Sequence, residues 1–124
     1  EPNNIYIAPG NYHLGIVKEN NKYKIKLSQE NPVRGHRPSV DYLFKSAYQV
    51  GIKNSIAVIM TGMGNDGSEG LRELSKNGTF AIAEAESTCV VYGMPKAAVE
   101  TGLVKKIVPL EKISSEIVQA INKN

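Results

Sequence analysis

The spacing of apolar positions changes several times along this chain, and each change marks an element. Asn4-Ile5-Tyr6-Ile7-Ala8 is a short apolar run closed by Pro9-Gly10-Asn11, which predicts a buried strand running into a loop. Beyond it, Tyr12 to Val17 and Tyr23 to Leu27 flank Glu19-Asn20-Asn21, and Tyr23, Ile25 and Leu27 alternate with Lys22, Lys24 and Lys26. A period of two predicts a hairpin with one wet face. Asn31 to Pro38 cannot be regular structure, because Pro32 and Pro38 remove donors and restrict the residues before them. After Ser39 the period lengthens. Val40, Leu43, Phe44, Ala47 and Val50 follow helical spacing, with Ser39 as N-cap and Gly51 as the stop.

The second half alternates more regularly. A strand is predicted over Ser55 to Met60, and a helix from about residue 67 to residue 77 with Leu71 and Leu74 inward and Gly78 at its end. Thr79 to Ala83 is the next strand, and Glu84 to Tyr92 has no regular period. Met94 to Glu100 reads as a short helix with Pro95 in its first turn and Gly102 as its stop. Val104 to Val108 is a last strand, and Pro109 opens a helix striped by Leu110, Ile113, Ile117 and Ile121. Strands alternating with helices imply right-handed crossovers and an α/β fold with a mostly parallel, Rossmann-like or flavodoxin-like sheet. The hairpin is an added antiparallel piece.

Composition narrows the function classes. A chain of 124 residues, 41% hydrophobic and 22% charged, has the profile of one globular unit. No apolar run approaches the roughly 20 residues needed to cross a bilayer, and no basic-then-apolar leader opens the chain, so neither membrane insertion nor secretion is supported. The single cysteine, Cys89, excludes an internal disulfide, and with only His13 and His36 beside it no zinc-like ligand set can be assembled. The expectation is a cytoplasmic protein without metal or cofactor. The net charge of +3 comes from lysines spread among acids rather than gathered with aromatics, which argues against nucleic acid as a partner.

The chemistry concentrates after the Ser55 strand, in Thr61-Gly62-Met63-Gly64-Asn65-Asp66-Gly67. Loops at the carboxyl ends of strands are where α/β proteins bind ligands. Gly62, Gly64 and Gly67 satisfy the dinucleotide pattern G-x-G-x-x-G, with Glu84 standing about 20 residues on as the ribose acid. Two arguments weigh against a nucleotide site: Asp66 would set a carboxylate at the helix N-terminus that a pyrophosphate needs, and the fingerprint belongs on the first βαβ unit. A phosphate loop of the Lys-Ser/Thr type is excluded, because neither pair follows the glycines. Asp66 also reads simply as an N-cap of the helix it precedes, with the glycines shaping a tight turn. That reading and a catalytic one are compatible. A carboxylate held by backbone amides stays ionised and fixed in direction, as the orienting acid of a Ser-His-Asp triad must be.

Four blocks in order carry a resemblance: Tyr6-Ile7-Ala8-Pro9-Gly10 with His13-Leu14; Gly35-His36-Arg37-Pro38-Ser39-Val40-Asp41 with Leu43-Phe44; Thr61 to Gly67 with Gly70-Leu71; and Ser87 through Cys89-Val90-Val91-Tyr92-Gly93-Met94-Pro95. Together they resemble the C-terminal part of the catalytic domain of the chemotaxis protein-glutamate methylesterases, the CheB family. The resemblance implies a serine hydrolase that cleaves γ-glutamyl methyl esters on methyl-accepting chemotaxis receptors and releases methanol, with glutamine deamidation as a companion activity. It implies Asp66 as the triad acid and the Met63 backbone amide as an oxyanion donor, with Gly62, Gly64 and Gly67 shaping the loop. The family's serine and histidine motifs lie upstream of the Tyr-Ile-Ala-Pro-Gly block and do not occur in these residues. Residues 1–124 are therefore expected to be the C-terminal portion of one catalytic domain, truncated at its N-terminal side, inactive alone and open to self-association along an unpaired strand edge.

His36, Ser39 and Asp66 supply the residue types of a self-contained triad, but Ser39 is already explained as a cap. Arg37 suits either a solvated loop or an acidic receptor surface. Cys89 reads as a small buried apolar residue, since no histidine is near it in sequence. Met60, Met63 and Met94 read as packing, with Met63 and Met94 beside the loop glycines.

Overall fold

The computed structural model describes residues 3–122. A two-stranded antiparallel hairpin comes first, β1 (His13–Glu19) and β2 (Lys22–Ser28), paired from His13 against Ser28 to Glu19 against Lys22. Asn20 and Asn21 join the strands with φ of 51° and 63°, both left-handed, which is the turn whose twist matches a hairpin. Helix α1 (Val40–Gln49) follows, then β3 (Ser55–Ile59), α2 (Ser68–Leu74), β4 (Thr79–Glu84), α3 (Met94–Glu100), β5 (Val104–Val108) and α4 (Ile113–Asn122). Strands β3, β4 and β5 form a separate parallel sheet in that order, with β4 central.

The core gathers on β3 and β4 beneath the helices: Phe44 and Ala47 from α1, Leu71 and Leu74 from α2, Ala98 from α3, with Ala57, Ile59 and Ala81 below them. Leu71 is wholly buried, worth about 1.5–3 kcal/mol over an exposed leucine. Helix α1 lies very close to α2, because Gly70 has no side chain: a Cβ there would meet the Phe44 Cβ at 2.7 Å and the Asp41 Cα at 3.1 Å. Gly15 admits α1 onto β1 in the same way, against the Tyr42 ring and Ser46.

Three expectations need correction. Residues 4–8 form no strand, and Ile5 and Ile7 are 92% and 86% exposed. An apolar run becomes a strand only where another strand pairs with it, and residues 4–8 lie in no strand or bridge. The hairpin likewise has two exposed faces over β2, since Tyr23, Ile25 and Leu27 are exposed along with its lysines. The stripe of the last helix is also displaced. Leu110–Lys112 is a 3-10 turn with three residues per turn, so Leu110 falls out of phase with α4. Ile113 and Ala120 are buried, whereas Leu110 and Ile121 are exposed.

Candidate active site

The glycine loop is built by what lies under it. Leaving β3, the Thr61 N–H donates to Glu84 Oε1 at 2.8 Å, and its hydroxyl accepts from the Val91 amide at 2.9 Å and donates to the Val91 carbonyl. The Gly62 N–H reaches the Val91 carbonyl, and the Gly93 and Met94 amides return to the Gly62 carbonyl at 3.1 and 2.9 Å. Residues 89–94, a segment without readable chemistry in the sequence, are thus the floor of the loop. Gly93 is obligatory there, because a Cβ would sit 2.8 Å from the Gly62 carbonyl oxygen and 2.9 Å from Gly64 N. Met94 packs its sulfur where a Gly62 side chain would be. Gly64 and Gly67 have φ of 85° and 101°, so both turns need glycine. The carboxylate of Glu84, 1% exposed, also accepts from the Thr88 hydroxyl at 2.9 Å and so pins the loop from below.

Asp66 is buried and serves a different helix from the one it precedes. Its Oδ1 accepts from the Ser39 hydroxyl and the Asp41 amide, both at 2.9 Å, and its Oδ2 accepts from the Val40 amide at 2.7 Å. Asp66 therefore caps α1 rather than α2. The N-cap of α2 is Gly67, and the amides of Gly67 and Gly70 donate to Asp41 Oδ1 at 3.0 and 2.7 Å. The reading of Asp66 as a local cap fails because the two helix starts stand side by side and each reaches the other's acid. Ser39 keeps its expected role as well, its hydroxyl accepting from the Tyr42 amide at 3.2 Å. A carboxylate offers about four lone-pair positions. Three are used on Asp66, and the one left is on Oδ2.

The remaining charges brace this arrangement. Arg34, in a left-handed turn with φ of 51°, donates to Asn65 Oδ1 at 2.8 Å and Glu69 Oε2 at 3.0 Å, on either side of the Asp66 loop. Its guanidinium stands 3.8 Å from Asp41 Oδ2, which is buried and accepts no hydrogen bond among the described residues. Burial first, then the charge of Asp66 beside it, hold the Asp41 carboxyl above its ordinary range, against the pull of the Gly70 amide. Met63 exposes its side chain, and its N–H makes no hydrogen bond among the described residues.

Several candidates are relieved of a catalytic part. The amides that would cradle a pyrophosphate already hold Asp41, and Glu84 is spent on Thr61 and Thr88, so the dinucleotide pattern is present without its site. Ser39, 3% exposed, donates directly to Asp66 with no imidazole between them, and His36 is exposed in a tight turn with Val33. Arg37 is committed to Asn11 and to the carbonyls of Gln29 and Glu30, which leaves little of it for an outside partner. Cys89 is half-buried rather than buried, and its desolvation together with Glu84 pushes the thiol up, away from a nucleophilic thiolate. No group of three potential metal ligands occurs among the described residues. Asp41, Glu84 and Gly93 are the functional supports that sequence reasoning missed. The one local signal was an acid in the first turn of α1.

The chain is 48% identical over 118 residues to a protein-glutamate methylesterase/protein-glutamine glutaminase of Halalkalibacterium halodurans, covering 95% of the chain and 34% of that protein. A Geobacillus kaustophilus protein of the same name is 51% identical over 117 residues, with 94% and 34% covered. The chain thus spans about a third of the length of the curated relatives it matches. Among solved structures, the catalytic domain of the Thermotoga maritima CheB methylesterase superposes with a TM-score of 0.86 at 38% identity, over 92% of this chain and 60% of that one. Residues 1–117 match the CheB methylesterase family model, and the chain belongs to that family.

Proposed function

We propose that this chain carries the acid side of a protein-glutamate methylesterase active site, acting on methylated chemotaxis receptors, with Asp66 as the triad acid and the Met63 N–H as an oxyanion donor. The observation that carries the reading is the state of Asp66: a buried carboxylate at the carboxyl end of the parallel sheet, held by three donors, with one acceptor position left on Oδ2. A structural cap can leave such a remainder, as Asp41 does on Oδ2, but does not need it. An orienting acid does, because it must accept one further N–H, from the Nδ1 of a histidine.

In the proposed reaction a serine hydroxyl attacks the γ-ester carbonyl of a receptor glutamate while the histidine takes its proton. The tetrahedral oxyanion is met by backbone N–H groups, Met63 among them, and collapses with loss of methanol. Water then hydrolyses the acyl-enzyme to the free glutamate. A glutamine side chain would follow the same course with ammonia as the leaving group. Asp66 takes no proton; it holds the imidazole tautomer and stabilises the imidazolium. Ser39 and His36 supply neither partner, so the nucleophile and base belong to the part of the catalytic domain outside residues 1–124. The chain alone is inactive in this reading, and its exposed apolar hairpin and open sheet edge favour self-association.

The test is a chimera in which this chain replaces the matching segment of the Thermotoga maritima catalytic domain. The chimera releases methanol from methylated receptor, and Asp66→Asn lowers kcat about 10⁴-fold, as amide replacement of the acid does in serine proteases. Full activity of the Asp66→Asn chimera, or turnover by the isolated chain, refutes the reading.

A further inference from the structure

We propose that Asp41 and Ser39 are positioning residues for Asp66, because the starts of α1 and α2 exchange carboxylates and each helix aims the acid that caps the other. The inference rests on the reading of Asp66 as the catalytic acid and adds how its direction is fixed. An acid in the first turn of a helix ordinarily serves its own N-terminus. Asp41 does not: its Oδ1 takes the Gly67 and Gly70 amides of α2, at 3.0 and 2.7 Å. Asp66 in turn takes the Val40 and Asp41 amides and the Ser39 hydroxyl of α1. The five bonds close a ring through both helices, and neither carboxylate can rotate without breaking bonds to the other helix.

The ring explains two further observations. Two buried carboxylates stand near enough to interact, which is tolerable only because each faces amides at a positive helix end. Arg34 then straps the ring from outside through Asn65 and Glu69, the neighbours of the Asp66 loop. Asp41 needs only one oxygen for its part, since Oδ2 accepts no hydrogen bond among the described residues. The Asp41→Asn variant would therefore keep both amide bonds through its remaining carbonyl oxygen, whereas Asp41→Ala would lose them.

Amide hydrogen exchange on the 124-residue chain tests the coupling. In Asp41→Ala, the amides of residues 40 and 41 that bond Asp66 exchange roughly tenfold faster or more, together with Gly67 and Gly70, while β4 amides stay protected. Asp41→Asn preserves protection at Val40. Acceleration confined to Gly67 and Gly70 would overturn the proposal. If Asp41→Ala exposes β4 as well, Ser39→Ala decides: faster exchange at Gly67 and Gly70, across the ring, supports the coupling, and no change there overturns it. Exchange is read without turnover, so its failure leaves the catalytic assignment of Asp66 untouched. In the chimera, Asp41→Ala lowers kcat roughly tenfold at unchanged KM and Asp41→Asn retains most of it. Equal losses from both variants would contradict a positioning role.

Discussion

Two apolar runs of similar make-up meet opposite fates in this molecule. Ile56-Ala57-Val58-Ile59 lies in β3, hydrogen-bonded to β4 and roofed by α1 and α2, and Ile59 is 3% exposed. Ile5-Tyr6-Ile7-Ala8 lies in no strand and leaves Ile7 86% exposed. The difference teaches that hydrophobicity states a demand for a partner and does not say where that partner is. It also divides the chain into a closed side, where the glycine loop stands on a packed sheet, and an open side made of residues 5–7 and the exposed strand β2.

Mutations on the two sides should separate them sharply. Leu71→Ala, at a fully buried site, is expected to cost about 2–5 kcal/mol in urea denaturation, while Ile5→Ala and Ile7→Ala stay within about 0.5 kcal/mol. Equal costs would erase the comparison. Gly93→Ala comes next, at about 1–3 kcal/mol, because its methyl meets fixed backbone of Gly62 and Gly64 rather than a side chain that can move. Its effect should also reach the loop, visible as changed amide shifts at Gly62 and Gly64. On the open side, Ile25→Lys and Leu27→Lys leave the denaturation midpoint nearly unchanged but reduce self-association in light scattering.

A smaller effect tests the electrostatics of the closed side. The Asp41 carboxyl sits above its ordinary value of 3.8, through burial first and then through Asp66. A carboxyl whose pKa is raised by folding binds its proton more tightly when folded. Its contribution is fully present below the ordinary value and is lost as the pH climbs through the raised one. Relative to Asp41→Asn, the natural chain should therefore lose stability as pH rises from about 4, and the difference should level off once Asp41 is ionised. Lys45, Arg34 and Asp66 face the same group, Glu69 pairs with both cations, and all are common to both proteins, so the difference isolates Asp41. The smallest expected effect is at Cys89, whose raised thiol should alkylate more slowly near neutral pH than a free cysteine.

What was legible in the sequence follows the same division. The starts and stops of α1, α2 and α3 could be read because caps and breakers act within a few residues: Ser39 caps α1, and Gly51, Gly78 and Gly102 close helices at φ near 80°. The hairpin could be read because its turn and alternation are local. That backbone amides hold the Asp66 carboxylate was legible, but the helix that supplies them was not, since its donors lie 25 to 27 residues away. Asp41, Glu84 and Gly93 were hidden for the same reason: each acts on a segment distant in the chain. Ile5 and Ile7 misled because periodicity reports which residues seek burial and carries no information on what buries them.

The central claim is that Asp66 orients a histidine through its remaining Oδ2 position, and a crystal structure of the chimera tests it most directly. The account predicts an imidazole Nδ1 within hydrogen-bond reach of Oδ2, at about 2.6–3.2 Å, with the Ser39, Val40 and Asp41 donors still in place. A histidine that leaves Oδ2 to water, with its ring oriented by another group, would contradict it.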